Sequence, residues 1–427
     1  MILCLMRIPP HPQGHGGNQR AWHLINALAR HGAVHLALIH PSTDSDAARV
    51  SLEPARGVVR SISVHPLTEW NATSDRFRGV PWVAGAWVDL ARFGSVDAPR
   101  LLAATLRAIA ADLPSGRFDT VFACRLALAT IGDDLRSTGL IVADRYAVDI
   151  DDIMSQFRLR QLQAENGAPT GMLWRLKAAS WRAARLREIG WLAREEERVA
   201  TSWDSVGLCS DADVASFRAR VPGARLVAVP NVVDRPRFDP ATGEPFRLLF
   251  VGNLGFAPNA HGLERFVRES LPAIRRAAPA AALDVVGMSA SAEMRDVLRR
   301  CDTTLHEDVP SVVPFYAAAH AVIAPIFFGG GTRIKILEAM AFGRPLVATT
   351  MGAEGLDLVD GTHALLADDG EAFADAVIRL ARDPQLGRHL ADEARALQQR
   401  RFGPEALDRG VAAMLGQPEI STTLNFS

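Results

Sequence analysis

The chain is 427 residues long, too many for one typical hydrophobic core and enough for two domains of about 200 residues each. Apolar residues make up 48% and charged residues 22%, a balance that excludes a disordered or low-complexity protein. The 47 Lys and Arg against 48 Asp and Glu leave a net charge of −1, so no overall field exists to draw in nucleic acid or an anionic bilayer.

In chain order, MILCLM opens as a short apolar run that passes straight into Arg7-Ile8-Pro9-Pro10. Without a basic leader it reads as a first buried strand over residues 1–6 and not as a signal peptide. A Gly-rich loop with His11, His15, Gly16 and Gly17 follows, then the helical run AWHLINALARHG ending at Gly32, then the strand VHLALI. This is a β-loop-α-β start. The two histidines could meet a ligand or simply be solvated.

Cys4, Cys124, Cys209 and Cys301 form no C-x-x-C pair, so neither a zinc knuckle nor a redox dithiol is spelled out, and reduced thiols fit a cytoplasmic protein. No 18-residue apolar run predicts a transmembrane helix. After the apolar run LIVADR comes Tyr146-Ala147-Val148-Asp149-Ile150-Asp151-Asp152, the expected end of a strand. Asp149-Ile150-Asp151 has the D-x-D spacing with which carboxylates hold a divalent ion on a diphosphate. The readings preferred over a metal are capping of a helix at IMSQF, or orientation of a substrate hydroxyl by Asp149, Asp151 and Asp152. Residues 172–198 combine Trp174, Trp181 and Trp191 with seven Arg and Lys. That pattern suits peripheral contact with the inner face of a membrane, but Glu188 and Glu195 to Glu197 dilute the positive face, and a long helix packed into the first domain is the preferred reading.

Pro236 to Pro245 (PRFDPATGEP) carries neither hydrophobic period and marks the expected boundary. The domains are then 1–235, with 403–427 packing back on it, and 236–402. Beyond the boundary the apolar strands RLLFVG, LDVVG, TLHEDV, VIAPI and LVATT alternate with helical segments such as 259–277 and 332–342. Alternation of this kind predicts a parallel sheet covered on both faces, with ligands bound past the carboxyl ends of its strands. The loops after Gly252, Gly287, Pro325 and Thr350 are therefore the places to look.

One of them reads Phe328-Gly329-Gly330-Gly331-Thr332-Arg333-Ile334-Lys335 and runs into the helix ILEAMAFG. Three glycines admit close backbone approach, and the unpaired N–H groups at the helix start suit a phosphate. Arg333 and Lys335 add two cations, and Glu338, three residues after Lys335, can accept hydrogen bonds from ribose hydroxyls. The bland alternative is a tight turn followed by a Lys335–Glu338 surface pair.

The segment GGGTRIKILEAMAFGRPLVATTMGAEGL closely resembles the donor-binding segment of retaining glycosyltransferase family 4, the glycosyl transferases group 1. AVPNVVD and FVGNLGFAPN resemble further signals of that family, while VAGAWVDL and GHGGNQR fit more loosely. The resemblance implies an α/β fold of the GT-B type, two Rossmann-like domains facing across a cleft. It implies that Glu338 holds the nucleotide ribose, that Gly331, Thr332, Arg333 and Lys335 face the diphosphate, and that Gly16 and Gly17 approach the donor phosphates. Two departures stand out. The first glutamate of the family's E-x7-E falls at Gly330, leaving backbone N–H groups to meet the sugar. Asn253 stands where an arginine usually helps neutralise the diphosphate, a task that passes to Arg333 and Lys335.

The function implied is transfer of a hexosyl residue from a nucleotide-diphospho-sugar to a hydroxyl of a glycan or lipid-linked acceptor, with retention, in polysaccharide or surface-glycan biosynthesis. Arg333, Lys335 and Asp151 are the candidate catalytic residues. His15, Asp149 and Asp152 are candidate acceptor contacts. No cofactor and no metal are expected, since the nucleotide-sugar is a co-substrate and the leaving diphosphate meets cations of the protein itself. Competing readings are a nucleotide-sugar epimerase of the same fold and a nucleotide-binding pseudoenzyme. A dinucleotide oxidoreductase would need G-x-G-x-x-G, which neither HPQGHGG nor VGNLGF provides.

Overall fold

A computed structural model of the chain describes residues 1–12, 16–40, 51–66, 101–164, 172–329 and 333–417, with the backbone alone at 164 and 172–180. The chain divides into two compact units, residues 1–232 with 404–427 and residues 233–403.

The first unit contains β1 (Ile2–Met6), α1 (Gly16–His31), β2 (Val34–His40), β3 (Ser61–Pro66), α2 (Ala103–Ala111), β4 (Arg117–Cys124), α3 (Leu126–Ser137), β5 (Val142–Asp151), α4 (Met154–Ala164), α5 (Met172–Ser202), β6 (Ser205–Leu208), α6 (Asp211–Arg220) and β7 (Leu226–Ala228). Its sheet runs β3-β2-β1-β4-β5-β6-β7, all parallel. Side chains on a strand alternate between faces, so each strand feeds two cores. Leu3, Leu5, Ala37 and Ile39 pack with α2 and α3 on one face, whereas Ile2, Cys4, Met6, Leu36 and Leu38 pack with α1 on the other.

The second unit contains β8 (Arg247–Asn253), α7 (Ala257–Glu269), α8 (Leu271–Ala277), β9 (Ala282–Met288), α9 (Ala292–Arg300), β10 (Thr304–Glu307), α10 (Val313–Ala318), β11 (Ala321–Ala324), α11 (Ile334–Phe342), β12 (Leu346–Ala348), β13 (Leu365–Leu366), α12 (Gly370–Arg382) and α13 (Pro384–Phe402). Its parallel sheet runs β10-β9-β8-β11-β12-β13. A final helix, α14 (Pro404–Leu415), returns to the first unit, where Leu407, Val411 and Met414 join the core beside α1.

Each sheet reverses strand order once, between β1 and β4 in the first unit and between β8 and β11 in the second. At such a switch point the helices leave in opposite directions and a crevice opens beyond the strand ends. Two glycines shape the crevice of the second unit. A Cβ at Gly262 in α7 would lie 1.8 Å from the Pro325 carbonyl oxygen, so only glycine lets α7 press on the chain leaving β11. Gly343 ends α11 in the left-handed region (φ 70°), and Arg344 N then donates to Ala339 O at 2.8 Å, the hydrogen bonding of a glycine-terminated helix.

Several boundaries differ from those expected. The helix anticipated over 259–277 is two helices, because Pro272 sits in the first turn of α8 and starts a new helix after Ser270. The helix anticipated from 332 begins at Ile334, and the strand TLHEDV is paired only over Thr304–Glu307. The segment 172–198 lies in α5, which buries Leu192, Val199 and Ala200 in the first unit's core and packs Trp191 against it. No helix among the described residues is long and apolar enough to cross a membrane.

Candidate functional site

The switch point of the second unit gathers residues from three elements. Lys335, in the first turn of α11, reaches back to the end of β8, where its ammonium donates to Asn259 Oδ1 at 2.7 Å and lies 4.2 Å from the centre of the Phe250 ring. The room it occupies exists because residue 252 is glycine: a Cβ there would sit 2.8 Å from Lys335 Nζ. Asn259 is itself pinned, its amide donating to the Asn253 carbonyl at 2.9 Å. Asn253 Oδ1 accepts from Gly255 N at 2.8 Å and closes the β8–α7 turn.

One helical turn further on, Glu338 is 6% exposed and accepts from the Tyr316 hydroxyl at 3.1 Å. The same hydroxyl lies 3.2 Å from the Lys335 carbonyl, so α10 supports both residues. Burial raises the Glu338 pKa, against the hydrogen bond of Tyr316 and the charges of Arg235 and Lys335. Burial lowers the pKa of Lys335 to about 7, helped by the neighbouring charge of Arg333 and opposed by Glu338. The start of α11 thus presents N–H groups, an amine near neutrality and a carboxylate within one turn, a set able to meet phosphate oxygens and hydroxyl groups together.

At the switch point of the first unit a cavity of about 400 Å³ is lined by Arg7, Gly17, Arg20, Arg125, Asp149 and Met154, among others. Arg20, in α1, is 4% exposed and makes a two-point pair with Asp149, Nε at 2.9 Å and Nη2 at 2.5 Å, with further bonds to Asn231 Oδ1 and the Val229 carbonyl. Burial works against the guanidinium, but the charges of Asp149 and Asp151 outweigh it and raise its pKa. Arg125 (φ 81°) and Asp151 (φ 63°) both hold the left-handed backbone unusual for their side chains, and they pair at 2.6 Å. Backbone of this kind costs free energy and persists only where its surroundings fix it, here through the Arg125–Asp151 pair.

Among the residues singled out from sequence, Lys335 is linked to Asn253 through Asn259, and the charges of Arg333 and Glu338 act on it at the start of α11. Gly330, Gly331, Thr332 and His15 lie outside the described residues. Gly16 and Gly17 form the first turn of α1, with Gly17 on the cavity wall. Asp149 lines the first unit's cavity but is 2% exposed, with both its oxygens bound by Arg20. Asp151 is paired with Arg125, while Asp152 is the more open of the two, with a 26% exposed side chain. Asp151, Asp152 and Cys209 bring three potential ligand atoms within 4.8 Å of one another, with Arg125 paired across the two carboxylates.

His306 Nε2 donates to the Asp284 carboxylate at 3.0 Å, with its ring tilted against Phe315, and Glu307 makes a two-point pair with Arg295 of α9, so both are engaged within the second unit. Sequence reading missed Asn259, Tyr316, Arg20 and Arg125. Asn259 lies in the FVGNLGFAPN segment already singled out, but nothing local tells that it faces a residue 76 positions away.

Residues 245–383 match the family described as Glycosyl transferases group 1. A glycogen synthase of Mycobacterium tuberculosis is 28% identical over 220 residues, covering 48% of this chain and 50% of that protein. The chain spans about half the length of the curated relatives it matches. Among solved structures, sucrose-phosphate synthase from Thermosynechococcus elongatus superposes with a TM-score of 0.63 at 17% identity, covering 97% of this chain and 98% of that one. Anabaena HepE in complex with UDP superposes with a TM-score of 0.58 at 17% identity, covering 97% and 99%. The chain therefore has the GT-B fold, and its second unit carries the segment that matches the Glycosyl transferases group 1 family.

Proposed function

We propose that the protein is a glycosyltransferase that moves a hexosyl residue from a nucleotide-diphospho-sugar to an acceptor hydroxyl, with retention of anomeric configuration. The observation that carries this reading is the convergence of Lys335, Asn259 and Glu338 on the start of α11 at a topological switch point. In this role Glu338 accepts from the ribose hydroxyls, and Lys335, Arg333 and the N–H groups of α11 meet the diphosphate. Those positive groups stabilise the charge that builds on the diphosphate as the bond to the sugar breaks. The family match over residues 245–383 covers all of these residues. The relatives are a glycogen synthase and a structure with UDP bound, both consistent with a nucleotide donor. The cavity of the first unit, lined in part by Arg125, with which Asp152 pairs, is the acceptor site in this scheme, and a glycan or lipid-linked sugar is the acceptor class.

The test is a thermal-shift and titration screen against UDP, GDP, dTDP, ADP and their sugars, with EDTA present, beside Glu338→Ala. One nucleotide should stabilise the protein selectively. Loss of two hydroxyl hydrogen bonds to a carboxylate should weaken it by at least 2 kcal/mol, roughly 30-fold. If no nucleotide binds, the reading is wrong.

A further inference from the structure

The chain contains 45 arginines and only two lysines, Lys177 and Lys335. Almost everywhere it needs a fixed positive charge it uses arginine, which does not lose its proton near neutral pH, whereas lysine can. One of the two lysines is the residue reaching the end of β8. Its nitrogen is set against Gly252, lies over the Phe250 ring and has a neutral partner, Asn259 Oδ1 at 2.7 Å. Among the described residues no carboxylate is hydrogen-bonded to it, and the carboxylate that acts on it, Glu338, is engaged by Tyr316.

Resting on the donor reading above, we propose that Lys335 is a proton-accepting phosphate ligand: Asn259 holds its side-chain nitrogen in place, and binding of a nucleotide diphosphate draws one proton from solvent onto it. The proton adds to the nitrogen lone pair, and the resulting ammonium donates to the phosphate oxygens. Asn259 is the positioning residue. It can anchor the nitrogen as amine or ammonium without supplying the negative charge that would keep it permanently protonated.

The charged groups acting on the nitrogen are Arg333, which disfavours its protonation, and Glu338, which favours it. Among the described residues β8 and α7 present Phe250, Gly252 and Asn259 to it, none of which titrates. Burial together with Arg333 outweighs Glu338 and brings the pKa to about 7. A diphosphate placed beside the nitrogen adds negative charge that pulls the pKa up, and by linkage this is proton uptake. Affinity should then fall by about tenfold per pH unit above the lysine pKa.

The small number of lysines makes the test direct. Reductive 13C-methylation marks Lys177, Lys335 and the terminal amine, and Lys335→Met assigns the Lys335 signal. That signal should titrate about three units below the ordinary lysine value of 10.5. Calorimetric titration with UDP-glucose, ADP-glucose, GDP-mannose and dTDP-glucose, in buffers of different ionisation enthalpy at pH 7.5, should show uptake of about 0.7 proton for the donor that binds. Lys335→Arg and Lys335→Met should both show no uptake and an affinity flat between pH 6.5 and 8.5. The Met variant should match the weak, high-pH limit of the unaltered protein. Asn259→Asp should move the Lys335 titration up by at least one unit and cut the uptake. Donor binding with no proton uptake, or a Lys335 signal titrating above pH 9, overturns the proposal alone. Failure of every nucleotide-sugar to bind at any pH overturns the donor reading and the proposal with it.

Discussion

Tyr316→Phe removes one oxygen atom and leaves the ring, which is fully buried and stacked on Phe342 at 4.6 Å, in place. No cavity of consequence forms, so the effect isolates the hydroxyl. That hydroxyl is the donor to Glu338, a carboxylate 6% exposed, and a hydrogen bond to a charged group contributes about 1.5–3 kcal/mol. Its second contact, to the Lys335 carbonyl, adds less because that carbonyl is already within α11. The expected loss is about 2 kcal/mol at pH 7.5, roughly a 30-fold rise in the opening constant of the second unit. The pH dependence carries the sharper test. Glu338 already has a raised pKa, and loss of its donor raises it further, so the folded variant binds a proton over a wider range than the unfolded chain does. The cost of the substitution should therefore be small well below pH 4.5, where the carboxyl is neutral in the folded and the unfolded chain alike, and grow as pH rises through the raised folded pKa. Because a two-unit chain need not unfold in one step, the assay is hydrogen–deuterium exchange of peptides spanning 313–343 at graded urea and several pH values. A loss below 0.5 kcal/mol, or one independent of pH, would refute the idea that Tyr316 supports a charged Glu338.

Gly262→Ala places a Cβ 1.8 Å from the Pro325 carbonyl and should force α7 off the end of β11, costing about 3 kcal/mol or more and lowering the melting temperature; an unchanged melt would show that the two backbones part freely. Arg20→Met leaves Asp149 buried without its partner, at a cost of about 3–5 kcal/mol, and Arg20→Met with Asp149→Leu should recover much of it. Equal stability of the single and double variants by urea titration would deny the pair any coupling. His35, 2% exposed between Ser61 and Ser63, has its pKa brought down to about 4 by burial and by His65. Its folded pKa lies below the unfolded 6.5, so the unfolded chain takes up the proton first. The stability it permits is complete above about pH 7 and is lost as pH falls from 6.5 toward 4, up to about 3 kcal/mol. His35→Gln should flatten that limb of the stability profile.

The alternation of short apolar strands with helical segments was enough to place a parallel sheet in the second part of the chain and a β-loop-α-β start in the first, because burial on both faces leaves near-continuous apolar runs such as VHLALI and VIAPI that need no partner to be recognised. The Gly-rich stretch ahead of ILEAMAFG was legible for the same reason: backbone freedom, helix start and charge all sit within eleven residues of one another. Helix ends were less so, since the split at Ser270 turns on a single proline whose weight depends on where α8 packs. What tertiary structure alone decided is which side chains meet. Tyr316 finds Glu338 across 22 positions, Lys335 finds Asn259 across 76, and Arg20 finds Asp149 across 129. Those separations exceed any helical or strand period, so local pattern holds no trace of them. The carboxylates of the D-x-D segment show the consequence. Their spacing speaks of a metal or an acceptor, while the fold spends Asp149 on a buried arginine, because a charge placed at a strand end inside the protein must be paired before it can do anything else.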